Sequence, residues 1–343
     1  MCVINAYLHL DITEVWGEAR SVAADGTQWD TLLDNLLAER HIRYGGYGGI
    51  AYHHVADNYI ALFSHFIPCG VWEAVYIIEG LLKQRSDADP DTVHADTQGQ
   101  SFPVHALAHL FGFELLTRIR NWRDRVFYRP DRDVVYRHID ALFGEPGQNL
   151  IDWQLIQTHW RDLMRIVISI REGWLSSTLL LRRLSSESRR NNVYKAFREL
   201  GRAICTITML RLISEPELRA EIDAATNKVE SYNSFSGWLA FGSEQIERND
   251  PAEQEEIIKF NTLLANCVIF HTAVDMSTVV RGMIAEGRGV NLDDLAGMAP
   301  YITERIKRFG EYPIDGLDKP PEAFDPHLQL DTADESDEEE RAA

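Results

Sequence analysis

The stretch Thr92–Ser101, "TVHADTQGQS", changes from apolar to polar at its centre. Val93 and Ala95 alternate with polar residues, as in a short buried strand, and Asp96 follows them with a charge. From Thr97 onward the residues are polar or glycine, and a helical pattern begins after them. We therefore predict a strand that ends at Asp96 and delivers a carboxylate to the edge of a sheet.

The sequence around this stretch predicts further strands. Two alternating segments, "GGIAYHHVAD" (48–57) and "NYIALFSHFIP" (58–68), flank a predicted hairpin turn. A helical pattern follows at Val71, Val75, Ile78 and Leu82. A helix that ends on Gly112 and a strand "FELLTRIR" come after Asp96. From about residue 20 to residue 119 the predicted order is strand, strand, strand, helix, strand, helix, strand.

From about Val134 onward the pattern is helical. The residues Ile156, Trp160, Leu163, Val167 and Ile170 are spaced as one face of a helix. The stretches 194–212 and 253–285 have the same periodicity, and the second is apolar on most sides. We expect that second stretch to form a buried helix.

Composition indicates a globular protein of ordinary type. The 343 residues are 45% hydrophobic and 25% charged, which is enough for one large core or two medium ones. We find no signal peptide, and no apolar run approaches the roughly 20 residues that span a bilayer. The four cysteines have no CxxC spacing and are expected to be free thiols in a reducing compartment. We therefore predict a cytoplasmic protein.

The net charge of −19 does not exclude a polyanionic partner. Seven acids and one arginine lie in the segment from Leu328 onward, "LQLDTADESDEEERAA". Such a run is typical of a solvated, disordered tail. Screening limits exposed charges to about 10 Å at ordinary salt, so that local patches matter more than the total charge.

Three acids stand out by their placement. Asp25 ends a short apolar run that we expect to be the first strand, Asp96 ends the later strand, and Glu230 lies in a helical stretch, "TNKVESYNSFSGWLAFG" (226–242). If the first and fourth strands are adjacent and parallel, both aspartates emerge at one edge, and a helix on the sheet adds the glutamate. By position alone, a surface turn or a helix cap is the more common role for each of these acids.

Three carboxylates in one small volume repel one another unless they bind protons or cations. Carboxylate oxygens suit hard ions such as Mg²⁺ or Mn²⁺. Two such ions roughly 4 Å apart can activate an attacking oxygen and stabilise a leaving oxygen at phosphorus. This chemistry is phosphoryl transfer on nucleic acid.

Four segments resemble the catalytic region of the class II, cointegrate-forming transposases, the Tn-three family. They occur in the order of that family, and the resemblance extends from about Trp16 to Tyr312. The first three are "YGGYGGIAYHHVADNYIALFSHFIPCGVWEAVYIIEGLLKQ" (44–84), "TVHADTQGQSFPVHALAHLFGFELLTRIRNW" (92–122) and "LLRRLSSESRRNNVYKAFRELGR" (180–202), and the fourth is the segment 226–242 around Glu230.

The resemblance implies a ribonuclease-H-like fold with a DDE triad. Asp25 stands in an "SDG"-like motif in which Ala24 replaces the usual serine. Asp96 stands in a "TDTAG"-like motif, and "NKVESYN" places the third acid on Glu230, with Val229 where glycine is common. The family then implies that Asp25, Asp96 and Glu230 are catalytic and hold two Mg²⁺ ions, with Mn²⁺ as a substitute.

We accordingly expect an α/β fold, a ribonuclease-H-like mixed sheet with a large all-helical insertion and a helical C-terminal part. The predicted division is 1–120 for the sheet with two acids, 121–222 for the helical insertion, 223–312 for the helical completion with the third acid, and 313–343 for the acidic tail. Members of the family are close to three times as long and carry N-terminal regions that recognise transposon ends. We therefore expect a truncated remnant, half of a split element, or a fragment.

The expected function is that of a DNA transposase catalytic core, which cleaves 3′ ends and joins strands in replicative transposition. The predicted partners are DNA, as transposon ends and target, and a second copy of the chain. No membrane partner is expected. No nucleotide cofactor is expected either, since the glycines of "RYGGYGGIAY" (43–52) are not followed by the lysine and the serine or threonine of a phosphate-binding loop. DNA binding would also associate the protein with the nucleoid. The basic residues predicted to contact DNA are Arg118, Arg120, Arg123, Arg125, Arg182, Arg183, Arg189, Arg190, Lys195, Arg198 and Arg202.

Three other interpretations remain open. The chain can be an inactive remnant that binds DNA or a full-length transposase. It can be a nuclease or resolvase on the same fold, or, with less support, an unrelated two-carboxylate hydrolase such as a glycosidase.

His105 and His109 have the spacing of a metal-binding helix, but the glutamate of the zinc-protease motif is absent between them.

Overall fold

A computed structural model of the chain describes residues 1–32, 35, 39–40, 47–69, 73–145, 147–186, 191–240, 245–308, 310–311 and 323–328. The predicted acidic tail lies outside the described residues, apart from 323–328. The strands are β1 Ser21–Thr31, β2 Glu39–Arg40, β3 Tyr47–Ala56, β4 Ala61–Pro68, β5 Thr92–Ala95, β6 Glu114–Thr117 and β7 Gln245–Ile246. The α-helices are α1 Cys2–Leu8, α2 Ile77–Lys83, α3 Phe102–Phe111, α4 Trp153–Arg171, α5 Ser177–Ser186, α6 Asn192–Ser214, α7 Pro216–Leu239, α8 Pro251–Ala285 and α9 Leu292–Ala296.

These strands form one mixed sheet. The order β2-β3-β1-β5-β6 is continuous, β4 pairs with β3, and β7 pairs with β1. β3 and β4 form the predicted hairpin, β1 is antiparallel to β3, and β5 is parallel to both β1 and β6. The predicted α/β class is confirmed. The first and fourth predicted strands, β1 and β5, are adjacent and parallel, which is the condition for the two aspartates to meet.

Some element bounds differ from the prediction. β1 continues for six residues beyond Asp25, because its antiparallel ladder with β3 continues to Asp30. The predicted helix from Val71 begins only at Ile77, after a 3₁₀ turn at Glu73–Val75, and Val71 itself lies outside the described residues. β6 ends at Thr117 rather than at Arg120.

Helices cover both faces of the sheet. On one face α7 packs across β1, β3 and β5. On the other face, the His54 ring of β3 contacts α2, and its Nε2 lies 2.8 Å from the carbonyl oxygen of Ile77. His53 and His54 are neighbours on β3 and so point to opposite faces of the sheet, and both are buried. The largest cluster of buried apolar side chains joins this sheet to α4, α6, α7 and α8.

The helical second half is only partly as predicted. α4 buries Ile156, Leu163, Val167 and Ile170, whereas Trp160 on the same helix is 43% exposed. Before α4, the helical turns in the described part of residues 118–152 are the short 3₁₀ helices Trp122–Asp124 and Asp140–Phe143. The helical pattern therefore begins about 20 residues later than Val134, at Trp153.

The long helix α8 is not the buried helix that its composition predicts. Phe260, Leu263 and Val279 are 53%, 46% and 62% exposed. By length and composition α8 is also the one helix among the described residues that is long and apolar enough to cross a membrane, which corrects the expectation that no such run exists. This is weak support for a membrane, since a core helix of a soluble protein meets the same criteria. The inner side of α8 is polar in part, for the Asn266 amide donates to the carbonyl of Ala61 on β4.

A glycine determines how closely α6 approaches α3. A Cβ atom added to Gly201 would lie 1.9 Å from the carbonyl oxygen of Phe102, the first residue of α3. Backbone cannot yield as a flexible side chain does, so the two helices would have to separate. We expect Gly201→Ala to lower the free energy of unfolding by about 1–3 kcal/mol, as overpacking does.

Gly282 in α8 provides the matched control, because nothing lies within 4 Å of a Cβ added there. There the better helix propensity of alanine acts alone, and Gly282→Ala should stabilise the protein by about 0.5–1 kcal/mol. Urea unfolding of the two variants measures both values. Equal stabilisation by the two alanines would contradict the close contact between α3 and α6.

Candidate functional site

A cleft of about 870 Å³ opens where β1 and β5 diverge beneath α7. The side chains of Asp25, Asp96 and Glu230 all line it. Arg118 and Arg120 line it as well, from the segment just after β6. The structure thus brings the three predicted acids to one cavity, from two strands and a helix, and we call this cavity the acid cleft.

The two aspartates meet because β1 and β5 are in register. The parallel ladder ends at the pair Ala24 and Ala95, so Asp25 and Asp96 are the next residues of the two chains. The sequence predicted that Asp25 ends the first strand, but Asp25 lies inside β1. It does lie at the point where the parallel pairing of β1 with β5 stops. Burial, together with repulsion from Asp96 and Glu73, raises the pKa of Asp25 to about 7.

Asp25 is also held by an amide on α7. The Asn233 side chain donates from Nδ2 to Asp25 Oδ2 at 3.1 Å. Its Oδ1 accepts from Nδ1 of His53 at 2.8 Å. Asn233 and His53 are both buried, and burial lowers the pKa of His53 to about 4. At neutral pH the imidazole is therefore uncharged.

Glu230 is the most exposed of the three acids, with 56% of its side chain accessible. Nη1 of Arg118 lies 3.5 Å from Glu230 Oε1, and Nε of the same guanidinium donates to Asp223 Oδ1 at 2.9 Å. Its Nη2 donates to Asn227 Oδ1 at 3.4 Å. One arginine thus contacts three side chains along α7.

Two further residues of the motif "NKVESYN", Lys228 and Val229, lie between the contacts of Asn227 and Glu230. The ammonium group of Lys228 donates to the carbonyl oxygens of Trp16 at 3.1 Å and Asp57 at 2.5 Å, and so fixes α7 to the β3–β4 turn. Val229 is buried within α7, and its φ is not positive. The replacement of the family's usual glycine therefore imposes no backbone strain here.

Sequence reasoning did not identify Glu73, which lies beside Asp25 on the other side of β1. A Cβ added to Gly26 would lie 2.6 Å from Glu73 Oε2 and 2.5 Å from Cγ2 of Ile50. The glycine that follows Asp25 therefore makes room for a fourth carboxylate. No sequence signal marks Glu73, since it belongs to a 3₁₀ turn within a stretch that has the pattern of an ordinary amphipathic helix.

The donor set of the acid cleft suits a hard divalent cation, because its acids supply carboxylate oxygens only. Repulsion from Asp96, Glu73 and Glu230 also adds to the raised pKa of Asp25, and a cation would relieve it. Among the described residues, however, no three His, Cys, Asp or Glu side chains are already arranged to hold a metal ion. Glu230 would have to turn from Arg118 towards the aspartates.

The predicted basic residues do not form one surface. Arg118 and Arg120 line the acid cleft and Arg123 is exposed, whereas Arg125 lies near Cys205 on α6. Arg202 packs over the Tyr128 ring at 4.8 Å and pairs with Glu199, which is the environment of a structural arginine. Lys195 is exposed and Arg198 lies over Tyr194, while the side chains of Arg182, Arg183, Arg189 and Arg190 lie outside the described residues.

The pair His105 and His109 is divided between interior and surface. His105 is buried in α3 and His109 is exposed. In the described part of the chain, neither ring nitrogen of His105 has a hydrogen-bond partner. Burial lowers the pKa of His105 to about 4.

The chain is similar to one known family and to several transposases. The family described as "Tn3 transposase DDE domain" matches residues 1–312. The transposase for transposon Tn1546 of Enterococcus faecium is 29% identical over 90% of this chain and 31% of its own length. The transposases for Tn501 of Pseudomonas aeruginosa and Tn21 of Escherichia coli are 28% and 27% identical over 87% and 90% of this chain. The chain spans 30% of the first of these two and 31% of the second.

Proposed function

Because the chain belongs to the family of Tn3 transposase DDE domains, we propose that it is the catalytic core of a DNA transposase. The proposed activity is metal-dependent cleavage at 3′ ends and strand transfer in replicative, cointegrate-forming transposition. The observation that carries the proposal is the shared acid cleft, where Asp25, Asp96 and Glu230 come together from β1, from the end of β5 and from α7. The sheet order with antiparallel β1 and β3 and parallel β1, β5 and β6 supports a ribonuclease-H-like fold.

Asp25, Asp96 and Glu230 would hold the divalent cations, two Mg²⁺ ions by our proposal, with Mn²⁺ as a substitute. Such ions activate an attacking oxygen and stabilise the leaving oxygen at phosphorus. The protein's own contribution is to fix the carboxylates and to hold the DNA. Arg118 and Arg120 line the same cleft as the acids, where their guanidinium groups would pair with backbone phosphates.

DNA also gives Arg118 an alternative partner. Its guanidinium contacts Asp223, Asn227 and Glu230 in the structure, and these groups are largely exposed. Exposed ion pairs contribute little, about 0–1 kcal/mol, so a phosphate can replace them at small cost. Release of Arg118 would free Glu230 to approach the aspartates. Binding of the DNA strand and completion of the acid site are thereby coupled.

The remaining features are proposed with the function. We propose the division 1–120, 121–222, 223–312 and 313–343, DNA as the partner in the form of transposon ends and target, and a homodimer. The proposed location is the cytoplasm, with association to the nucleoid through bound DNA. No membrane or nucleotide cofactor takes part in the proposed reaction.

A strand-transfer assay tests the proposal. The 343-residue chain is incubated with Mn²⁺, a supercoiled plasmid, and pre-cut duplexes taken from the inverted repeats that flank its own gene. Covalent joining of the duplex 3′ ends to the plasmid supports the proposal. Plasmid nicking without joining supports the nuclease alternative. Binding to DNA or to a full-length relative with neither reaction supports an inactive remnant.

A further inference from the structure

Asp25 and His53 are direct partners in the ladder between β1 and β3. Both side chains point to the face that α7 covers, since both reach Asn233 on that helix. Asn233 follows Glu230 by three residues, so the two lie on neighbouring positions of one helix face. A single amide therefore joins the first acid to the helix that carries the third.

The direction of these hydrogen bonds is determined by the chemistry of the partners. When Asp25 is ionised, as a bound cation would keep it, its carboxylate only accepts, so Asn233 presents its NH₂ group to it. Its oxygen then faces Nδ1 of His53, which must carry the proton. The neutral ring thus fixes the orientation of the amide. Without a donor at His53, the amide could rotate and direct its oxygen at the carboxylate.

The environment of His53 supports a specific role for this contact. The ring is fully buried, and Nε2 has no hydrogen-bond partner in the described part of the chain. A buried polar atom without a partner costs about 1–3 kcal/mol. An apolar side chain would avoid that cost, and the hydrogen bond from Nδ1 to Asn233 is what the imidazole supplies in return.

We propose that Asn233, oriented by His53, is a positioning residue that fixes the plane of the Asp25 carboxylate for cation binding. This inference deepens the proposed function and rests on it. Asn233 also lines the acid cleft, and in this proposal it acts through Asp25 rather than as a ligand of the cation. It also keeps α7 in register with β1, so that Glu230 stays within reach of the two aspartates.

The test is Mn²⁺ binding to the 343-residue chain, measured by electron paramagnetic resonance. Asn233→Ala should weaken Mn²⁺ binding by about 10- to 100-fold, the usual effect of removing a partner of a metal ligand. In the joining assay the Mn²⁺ concentration at half-maximal rate should rise by a similar factor. The rate at saturating Mn²⁺ should stay within a few-fold of the wild-type rate.

Asn261→Ala is the matched control. Asn261 is buried on α8, and its amide donates to the carbonyl and hydroxyl oxygens of Ser236, away from the acid cleft. That variant should lose stability as Asn233→Ala does, yet bind Mn²⁺ like the wild type. Because Asn233→Ala can fail to fold, His53 provides a second route: His53→Asn keeps a donor near Nδ1 and should retain affinity, whereas His53→Leu should lose it.

Several outcomes overturn the inference. If Asn233→Ala binds Mn²⁺ as tightly as Asn261→Ala, or if His53→Leu and His53→Asn bind equally well, Asn233 is structural only. The proposed function survives that result as long as Asp25→Asn abolishes Mn²⁺ binding. If Asp25→Asn binds Mn²⁺ normally, or the wild type binds none, both the proposed function and the inference fail.

Discussion

We expect Asp96→Asn to reduce strand joining by more than about 100-fold. Removal of a hydrogen-bond partner of a metal ligand already reduces activity by up to about 100-fold, and Asp96 is proposed to be a ligand itself. The amide keeps the volume of the carboxylate but loses the charge that a hard cation requires. The fold should persist, because Asp96 lies just after β5, and its charge raises the pKa of Asp25 by repulsion. Removal of that repulsion should leave the melting temperature unchanged or slightly higher.

Asp91→Asn is the matched control, since Asp91 precedes β5 as Asp96 follows it. Its carboxylate pairs with Arg20 at 2.5 Å in an exposed ion pair, which is worth about 0–1 kcal/mol. Joining should be unaffected in that variant. Quantified joining products, together with melting curves, measure both effects. Normal joining by Asp96→Asn would remove this residue from the proposed site.

The sequence was sufficient for the strands β3, β4, β5 and β6, and the resemblance implied that the acids act together. The pattern around Asp96 indicates a short buried strand, but its parallel pairing with β1 was only a condition of the prediction, and the structure meets that condition. The sequence was insufficient for the position of Asp25 within β1. A strand ends where its partner stops pairing, and β3 continues beside β1 up to Asp30. Local periodicity contains no information about that partner.

The environment of the acids could not be predicted for a similar reason. Asn233 and His53 are 180 residues apart and meet only because α7 crosses β3. Glu73 reaches β1 from the opposite side through the gap at Gly26. Arg202 and the exposed face of α8 show the converse limit. Charge density and apolar composition suggest DNA contact and burial, but which face of a helix is covered depends on its neighbours.

Acid should unfold the protein between about pH 6.5 and pH 4. Burial lowers the pKa of four histidines to about 4 from an ordinary value of 6.5, namely His53, His54, His94 and His105. In this range the unfolded chain binds four protons that the native protein does not, so stability falls as the pH falls. Asp25 opposes this trend, because its pKa of about 7 makes the native state bind one proton more than the unfolded state.

The net difference of three protons corresponds to about 4 kcal/mol per pH unit, against a total stability of roughly 5–15 kcal/mol. Urea unfolding at several pH values, with a chelator present, measures the slope. His105→Met should raise stability at pH 5 and reduce the slope by one proton, since neither ring nitrogen of His105 has a partner among the described residues. His109→Met, on the exposed side of the same helix, is the control for a substitution in α3 that leaves the buried ring in place. Equal slopes in the wild type and in His105→Met would show that this histidine is protonated in the native protein.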